Sequence, residues 1–397
     1  MYGLNFDMYQ TTAIAVVMLF VGNSLRKKIS PLEKLCIPAP VVGGLVFAII
    51  SCALYSAGVV EFSFDETLRT VFMVAFFTSV GFKVSAKVLK SGGTDLIILV
   101  SCVAVLIVGQ NFLAIGLSQV LNLTSPLIGL CTGSISMAGG HGTAGAFGPV
   151  LEDLGFHEAT TFCTAAATFG IVAGSLIGGP VGRRLILKND LLKTVVKADE
   201  TPLTEEEKNN RRSWKTYAPA SYQLAIAMGL GTAVSALLSK IGMTFPIYIG
   251  AMIVAALMRN YSELTGQFTI HVEEINDIGE ICLSLFLGIA MITLKLWQLA
   301  ELALPMLILL FGQIIFMLVF AYVVVYNALG RNYDAAIFSA GICGFGLGAT
   351  PNAMANMQVL TNKFAPSIKA YSLVPIVGGM FMDFLNSMAI TFFINFL

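Results

Sequence analysis

The sequence predicts an all-α polytopic membrane protein built as an inverted repeat of five plus five transmembrane helices with two re-entrant hairpins. Three observations carry that prediction. Of 397 residues, 56% are hydrophobic and 12% charged, with a mean hydropathy of +0.83, values of a chain that lives in a bilayer. Apolar runs of membrane length recur along it. Two glycine-rich stretches, Ser134-Ile-Ser-Met-Ala-Gly-Gly-His-Gly-Thr-Ala-Gly-Ala-Phe-Gly148 and Gly341-Ile-Cys-Gly-Phe-Gly-Leu-Gly-Ala-Thr-Pro351, break those runs at corresponding places in two halves. Paired interruptions of that kind mark the binding site of a transporter.

A span needs about 20 apolar residues, and short ones near 17 are tolerated. On that ruler the spans run from Tyr9 to Leu25, Pro38 to Gly58, Leu68 to Phe82, Asp95 to Val120, Thr160 to Val181, Ala218 to Ser239, Phe245 to Met258, Ile275 to Leu294, Leu304 to Ala328 and Ala370 to Phe396. The third and seventh are the shortest. No signal peptide is expected, because Asp7 and no Lys or Arg precede the first apolar run, so that run stays as a span. The glycine-rich stretches, within Pro126 to Leu151 and Ala335 to Val359, are additional. Each is long enough for two half-helices that enter and leave on one side.

Charge placement orients the spans. Arg26-Lys27-Lys28 follows the first, Lys83, Lys87 and Lys90 the third, and Arg183, Arg184 and Lys188 the fifth, which assigns those loops to the cytoplasm. Glu61, Asp65, Glu66, Glu152, Asp153 and Glu158 fall on the other side, with Arg69, Lys240 and Lys295 as the few cations there. Both termini are then expected outside. A zero net charge gives no basis for a nucleic-acid partner. The seven cysteines form no C-x-x-C pair and read as small buried hydrophobes.

Residues 187–214 form a polar linker expected in the cytoplasm, with Thr204 and Glu207 spaced to cap a short surface helix. It divides the chain into halves 1–186 and 215–397. The halves echo each other: Ile37-Pro-Ala-Pro40 and Phe245-Pro246 open similar apolar runs, Gln110 and Gln313 precede the glycine-rich stretches, and Ile171-Val-Ala-Gly174 matches Ile376-Val-Gly-Gly379. Five spans is an odd number, so the second half inserts upside down, and the hairpins enter from opposite faces.

A half-helix that starts inside a membrane leaves N–H groups unpaired, and two such starts, near Thr143 and near Thr350, can converge on a carboxylate. Gly139, Gly140, Gly142, Gly344, Gly346 and Gly348 let backbone approach a ligand, while Ser134, Ser136, Thr143, Thr350, Asn352 and Asn356 offer neutral donors and acceptors. Asp383, near the middle of the last span, is the deepest ionisable residue, and Asn386 one turn on shares its face. Together with Asn356 and Ser134 they form the oxygen set expected for a sodium ion. His141, at the first hairpin tip, has three readings: a carboxylate ligand, a proton shuttle, or a hydrogen-bond donor to a facing carbonyl. Zinc is not expected from three scattered histidines, nor an enzyme, since no nucleophile has a base and an orienter beside it. Gly344-Phe-Gly-Leu-Gly348 lacks the lysine of a phosphate loop.

Gly139-Gly-His-Gly-Thr143, Asn332-Tyr-Asp-Ala-Ala336, Cys343-Gly-Phe-Gly-Leu-Gly-Ala-Thr-Pro351, Ala355-Asn-Met357 and Lys295-Leu-Trp297 together resemble the bacterial glutamate:sodium symporters, over almost the whole chain. The resemblance implies uptake of L-glutamate driven by sodium across the bacterial inner membrane, with no cofactor. It implies a homodimer in which a transport domain slides against a scaffold, as in an elevator, and kinship in fold with the 2-hydroxycarboxylate transporters. By that analogy spans four, five, nine and ten join the hairpins in the moving domain, and spans one to three and six to eight form the scaffold. Carried onto this chain, it sets the substrate site at Ser136, Gly139, Gly140, His141, Gly142, Thr143, Gly346, Gly348, Thr350 and Asn352. A sodium/proton exchanger using Asp383 and His141, a carrier of another small carboxylate, and a channel are the competing readings.

Overall fold

The computed structural model describes residues 2–29, 32, 37–91, 93–123, 125–194, 214–240, 246–299 and 303–396. The expected cap at Thr204 and Glu207 lies outside the described residues.

Asp7 starts the first span. Its carboxylate accepts from the N–H groups of Tyr9 and Gln10, and the Gln10 side chain accepts in return from the Asp7 N–H, a reciprocal cap that opens α1 (Met8–Lys28). Arg26, Lys27 and Lys28 sit in the last turn, where cations suit the carbonyl end of a helix. α2 (Ala39–Ser56) follows Pro38, and α3 (Thr67–Lys83) and α4 (Ala86–Ser91) precede α5 (Gly93–Val120). The first glycine-rich stretch is a hairpin of α6 (Pro126–Thr132) and α7 (Gly140–Asp153), followed by α8 (Ala159–Lys188). The second half runs α9 (Trp214–Ser239), α10 (Ile247–Thr265), α11 (Val272–Ile292) and α12 (Ala303–Ala328). A second hairpin of α13 (Tyr333–Gly346) and α14 (Thr350–Lys363) leads to α15 (Ile368–Phe396). Eight of these helices are long and apolar enough to cross a membrane. The two expected spans outside that set are α3, at 17 residues, and α10, which runs past its apolar segment into the Arg259–Glu263 ion pair at 2.6 Å.

A departure from an all-helical chain lies at the first residues. β1 (Tyr2–Phe6) pairs in parallel with β2 (Val60–Phe64), and the Phe6 and Phe64 rings stack at 5.4 Å. Five-residue strands carry too short an alternation to stand out beside membrane-length runs, so the sequence reading missed them.

α1 packs on α2 and α11, α9 on α10, and α3 lies between α10 and α11; α2 also lies against α11. The remaining long helices, α5, α8, α12 and α15, carry the hairpins, and the largest apolar core, with Leu106, Met317, Phe338 and Phe345, is formed among them. α8 is fitted to the second hairpin by a row of glycines one turn apart, Gly170, Gly174, Gly178 and Gly182. A Cβ on these would meet the Leu347 carbonyl at 2.4 Å, the Cys343 carbonyl at 3.0 Å, the Asn356 amide at 2.1 Å and Leu360 at 2.2 Å. With no hydrophobic drive between helices in lipid, such close approach supplies the dispersion contacts that hold them together. Gly178→Ala forces a methyl against Asn356, whose amide is already engaged with the Gly174 and Ala340 carbonyls. It should destabilise by about 1–3 kcal/mol, read as a fall of several degrees in the unfolding temperature of the purified protein; an unchanged melt refutes this packing.

Candidate functional site

The polar ends of the four half-helices are treated differently. α6 starts under a side-chain cap from Ser125 and α13 under one from Asn332. α7, after Gly139, and α14, after Ala349, have no side-chain cap. The outer ends of both hairpins are therefore closed by their own sequence, whereas the inner starts present N–H groups to whatever lies beyond. α7 begins at Gly140, three residues earlier than expected, because Gly140 takes a left-handed φ of +58 that turns the chain into the helix. The tips touch: a Cβ on Gly140 would stand 2.8 Å from the Gly348 carbonyl oxygen.

Both uncapped starts open into one cavity of about 770 Å³. Gly139, Gly140, His141, Gly142 and Thr143 line it from the first hairpin, Gly348 and Thr350 from the second, and Asp383 from α15. Asp383 is brought there by a break in α15. Pro375 cannot donate to the carbonyl four residues back, and a wider π turn over Val377–Phe381 follows, in which Gly378 lets the Thr350 side chain approach to within 2.7 Å of where a Cβ would stand.

Other expected site residues do not line the cavity. The Ser136 hydroxyl is tied to the Cys131 and Cys163 carbonyls at 2.5 and 2.8 Å. Gly346 is packed against Leu106 and Met317, and its carbonyl accepts from Gln110 at 2.7 Å. Asn352 donates to the Ile171 carbonyl at 2.9 Å, and Asn356 to the Gly174 carbonyl at 2.9 Å, so both fasten α14 to α8. Asn386 turns away from Asp383 and donates to the Ser134 carbonyl at 3.0 Å, while the Ser134 N–H is taken by Asn111 at 2.8 Å. Here three buried polar atoms have no protein partner: Ser134 Oγ, Asn386 Oδ1 and Asn111 Nδ2. Asn352 Oδ1 is likewise unpartnered at the second tip. Two of these groups, Ser134 and Asn386, belong to the expected sodium set, and their orphaned oxygens suit a hard cation. Among the described residues no cluster of three or more His, Cys, Asp or Glu forms a metal site of the acidic or thiolate kind.

His141 Nε2 lies 2.9 Å from the Thr168 hydroxyl, whose own hydrogen points to the Thr164 carbonyl at 3.0 Å. By that pattern Nε2 carries the proton and Nδ1, which has no partner, is an acceptor. Of the three expected readings, the one that names a facing carbonyl is not what the geometry shows, since the ring donates to a hydroxyl instead.

Sequence reasoning missed the far wall. Lys83, placed in a cytoplasmic loop, is the last residue of α3 and lines the cavity with Arg26, Glu280, Phe76 and Leu283. Its ammonium is 4.0 Å from the Glu280 carboxylate, which is 58% exposed, so this pair marks the mouth. Nothing in the local sequence around Glu280 shows that α11 faces the hairpins; only the packing of α3 on α11 does. Arg69, expected on the side opposite the cytoplasm near the start of the third span, is buried at 6% exposure, which its charge alone did not suggest.

The family profile described as sodium/glutamate symporter matches residues 4–366. The chain belongs to the sodium/glutamate symporter family. It is 38% identical over 391 residues to the sodium/glutamate symporter of Escherichia coli, covering 98% of this chain and 97% of that protein. With the sodium/glutamate symporter of Haemophilus influenzae it shares 37% over 391 residues, 96% of each. Among solved structures, a sodium proton antiporter from Methanocaldococcus jannaschii aligns with a TM-score of 0.43 at 16% identity, over 97% of both chains. The family shares its name with the resemblance seen in the motifs, two of which, Gly139–Thr143 and Cys343–Pro351, supply the cavity-lining hairpin tips.

Gly140→Ala combines a left-handed backbone with a clash against a backbone oxygen, neither of which a side-chain shift relieves. Ligand-dependent thermal stabilisation should fall by more than about tenfold in apparent affinity, with the protein still inserted and folded. Parent-like stabilisation in this variant would show that the tips do not shape the site.

Proposed function

We propose that this chain is a secondary active symporter that imports L-glutamate with sodium by alternating access, holding the substrate between the two hairpin tips. The observation that carries the reading is the pair of uncapped helix starts at Gly140 and Thr350 sharing one cavity. Each start carries a partial positive charge, and a carboxylate bound there satisfies N–H groups that hydrocarbon would leave bare. The names of the relatives supply the substrate and the ion: glutamate for the anion and sodium for the coupling cation. Gly139, Gly140, Gly142, Thr143, Gly348 and Thr350 contact the substrate, with the His141 Nδ1 acceptor beside them. Ser136, Gly346 and Asn352 act behind them, as braces of the tips. Asp383 faces the cavity as an anionic sodium ligand, and the orphaned oxygens of Ser134 and Asn386 form a buried sodium position; Asn356, its amide already shared by two carbonyls, holds α14 in place.

The halves 1–186 and 215–397, joined by the cytoplasmic linker 187–214, are read as an inverted repeat. Support comes from reciprocal packing: α2 lies on α11 as α10 lies on α3, while α3 meets α11 and α5 meets α12. The scaffold is α1–α3 with α9–α11, and the moving body is α5, α8, α12, α15 and the hairpins, in a homodimer in the bacterial inner membrane. The lysines and arginines at the C-terminal ends of α1, α3 and α8 support a cytoplasmic location for that side, with both termini outside. The cavity mouth, at Arg26, Lys83 and Glu280, then faces the cytoplasm.

Purified protein in liposomes should accumulate labelled glutamate only under an inward sodium gradient. Uptake indifferent to sodium, or driven by protons alone, would sink this function. Asp383→Asn removes one anionic ligand and should raise the sodium concentration for half-maximal uptake about tenfold or more, with glutamate affinity at saturating sodium less affected. An unchanged sodium curve would take Asp383 out of the ion path.

A further inference from the structure

Arg69 stands at the end of α3 opposite Lys83, and among the described residues it is the one lysine or arginine that is buried. Its guanidinium pairs with Glu66 one turn away and donates across to the Gly145 carbonyl of α7 at 2.9 Å. That carbonyl is not an ordinary helical one. In α7 it would accept from the N–H of residue 149, and residue 149 is a proline, which has none. A proline in the first hairpin thus creates a bare carbonyl, and an arginine from a different part of the molecule fills it. Around that contact the fit is close. The Phe286 ring of α11 lies 2.8 Å from where a Gly145 Cβ would stand, and Phe147 meets Tyr248 of α10 edge to face at 5.6 Å. A shallow hollow beside it, lined by Met73, Val150 and Asp153, does not reach the hairpin tips.

We propose that Arg69, Gly145 and Pro149 form a latch that holds the first hairpin to α3 on the side opposite the cavity mouth, and that Arg69 is a positioning residue of the transport cycle. The geometry is one-sided: along α3 the Lys83 end borders the cavity of about 770 Å³ that reaches the hairpin tips, and the Arg69 end only a hollow of about 190 Å³, lined by Arg69, Gly145 and Pro149 themselves, that does not. Opening the site toward the Arg69 side requires α7 to leave α3, α10 and α11. The apolar part of that seam can slide, since Gly142 and Gly145 present no side chains, but a charged donor on a carbonyl must break outright. Pro149 guarantees that the carbonyl has no helical partner to fall back on, so the latch closes each time α7 returns. The role in the cycle rests on the transport reading above, whereas the latch itself is a statement about two arrangements of this chain.

The test uses two single-cysteine reporters in a full-length background without reactive native cysteines. Met73→Cys lies at the latched seam and Ser284→Cys in the cavity, and each is labelled with a membrane-impermeant maleimide from either face of proteoliposomes. Arg69→Met should raise the labelling rate at position 73 roughly tenfold while lowering that at 284, the loss of one charge-assisted bond. Pro149→Ala restores an N–H to compete for the Gly145 carbonyl and should shift both rates a few-fold in the same directions, with Arg69 intact and the fold no less stable. Arg69→Lys should lie between parent and Arg69→Met. Parent rates in Arg69→Met, or a rise at both positions together as general loosening would give, overturn the latch. Opposed shifts in a protein that moves no glutamate would keep the latch and discard the substrate assignment.

Discussion

The structure depends on the cost of a broken helix in a buried, apolar interior. Each unsatisfied peptide group there costs several kcal/mol, and the chain breaks twice, at 133–139 and at 347–349. The breaks persist because side-chain amides take over the work of the missing turns. Asn111 accepts from the Ser134 N–H, Asn386 donates to the Ser134 carbonyl, Gln110 donates to the Gly346 carbonyl, and Gln313 donates to that of Gln110. What these braces leave unpaired, among the described residues, includes the two inner helix starts and buried side-chain atoms such as Ser134 Oγ, Asn386 Oδ1 and Asn111 Nδ2. The polar groups of the core thus divide into those that hold the breaks open and those that the breaks offer.

That division explains what could and could not be read in the sequence. The glycine-rich stretches, their pairing and the spans around them were legible because glycine content and apolar length are one-dimensional signals. The direction of a polar side chain is not. Asn386 and Asp383 sit three apart on a helix and should share a face, yet the Ser134 carbonyl draws the Asn386 amide to the first hairpin's backbone while Asp383 lines the cavity. Asn352 and Asn356, one turn apart in α14, both face α8, and the signal for that is not in α14 at all but in the glycine row of α8. Gln110 and Gln313 did stand out as a repeated pair, and their joint role as a brace needed the crossing of α5 and α12 to be seen.

The ionisable residues show the same limit. Lys83, Glu280 and Arg26 are separated by long stretches of sequence and meet only because α1, α3 and α11 pack together. They set the electrostatics of the mouth. Two cations and one carboxylate there face Asp383 deeper in, so an acidic solute meets a neutralising collar before it reaches the tips. The burial of Arg69, a residue the sequence sets just inside the third span, was hidden for a related reason: the proline that recruits it inward lies eighty residues further on.

The glycine row on α8 has a consequence for how the protein is made. A helix with glycine at every fourth position is intrinsically weak, and its grooved face is fitted chiefly to the second hairpin, which is synthesised roughly ten to thirty seconds later at 5–20 residues per second. Through that interval the first half waits in the bilayer with its central groove unfilled. The order of synthesis therefore runs against the order of packing: the helix at the centre of the first half has its partner only once the second hairpin has been made.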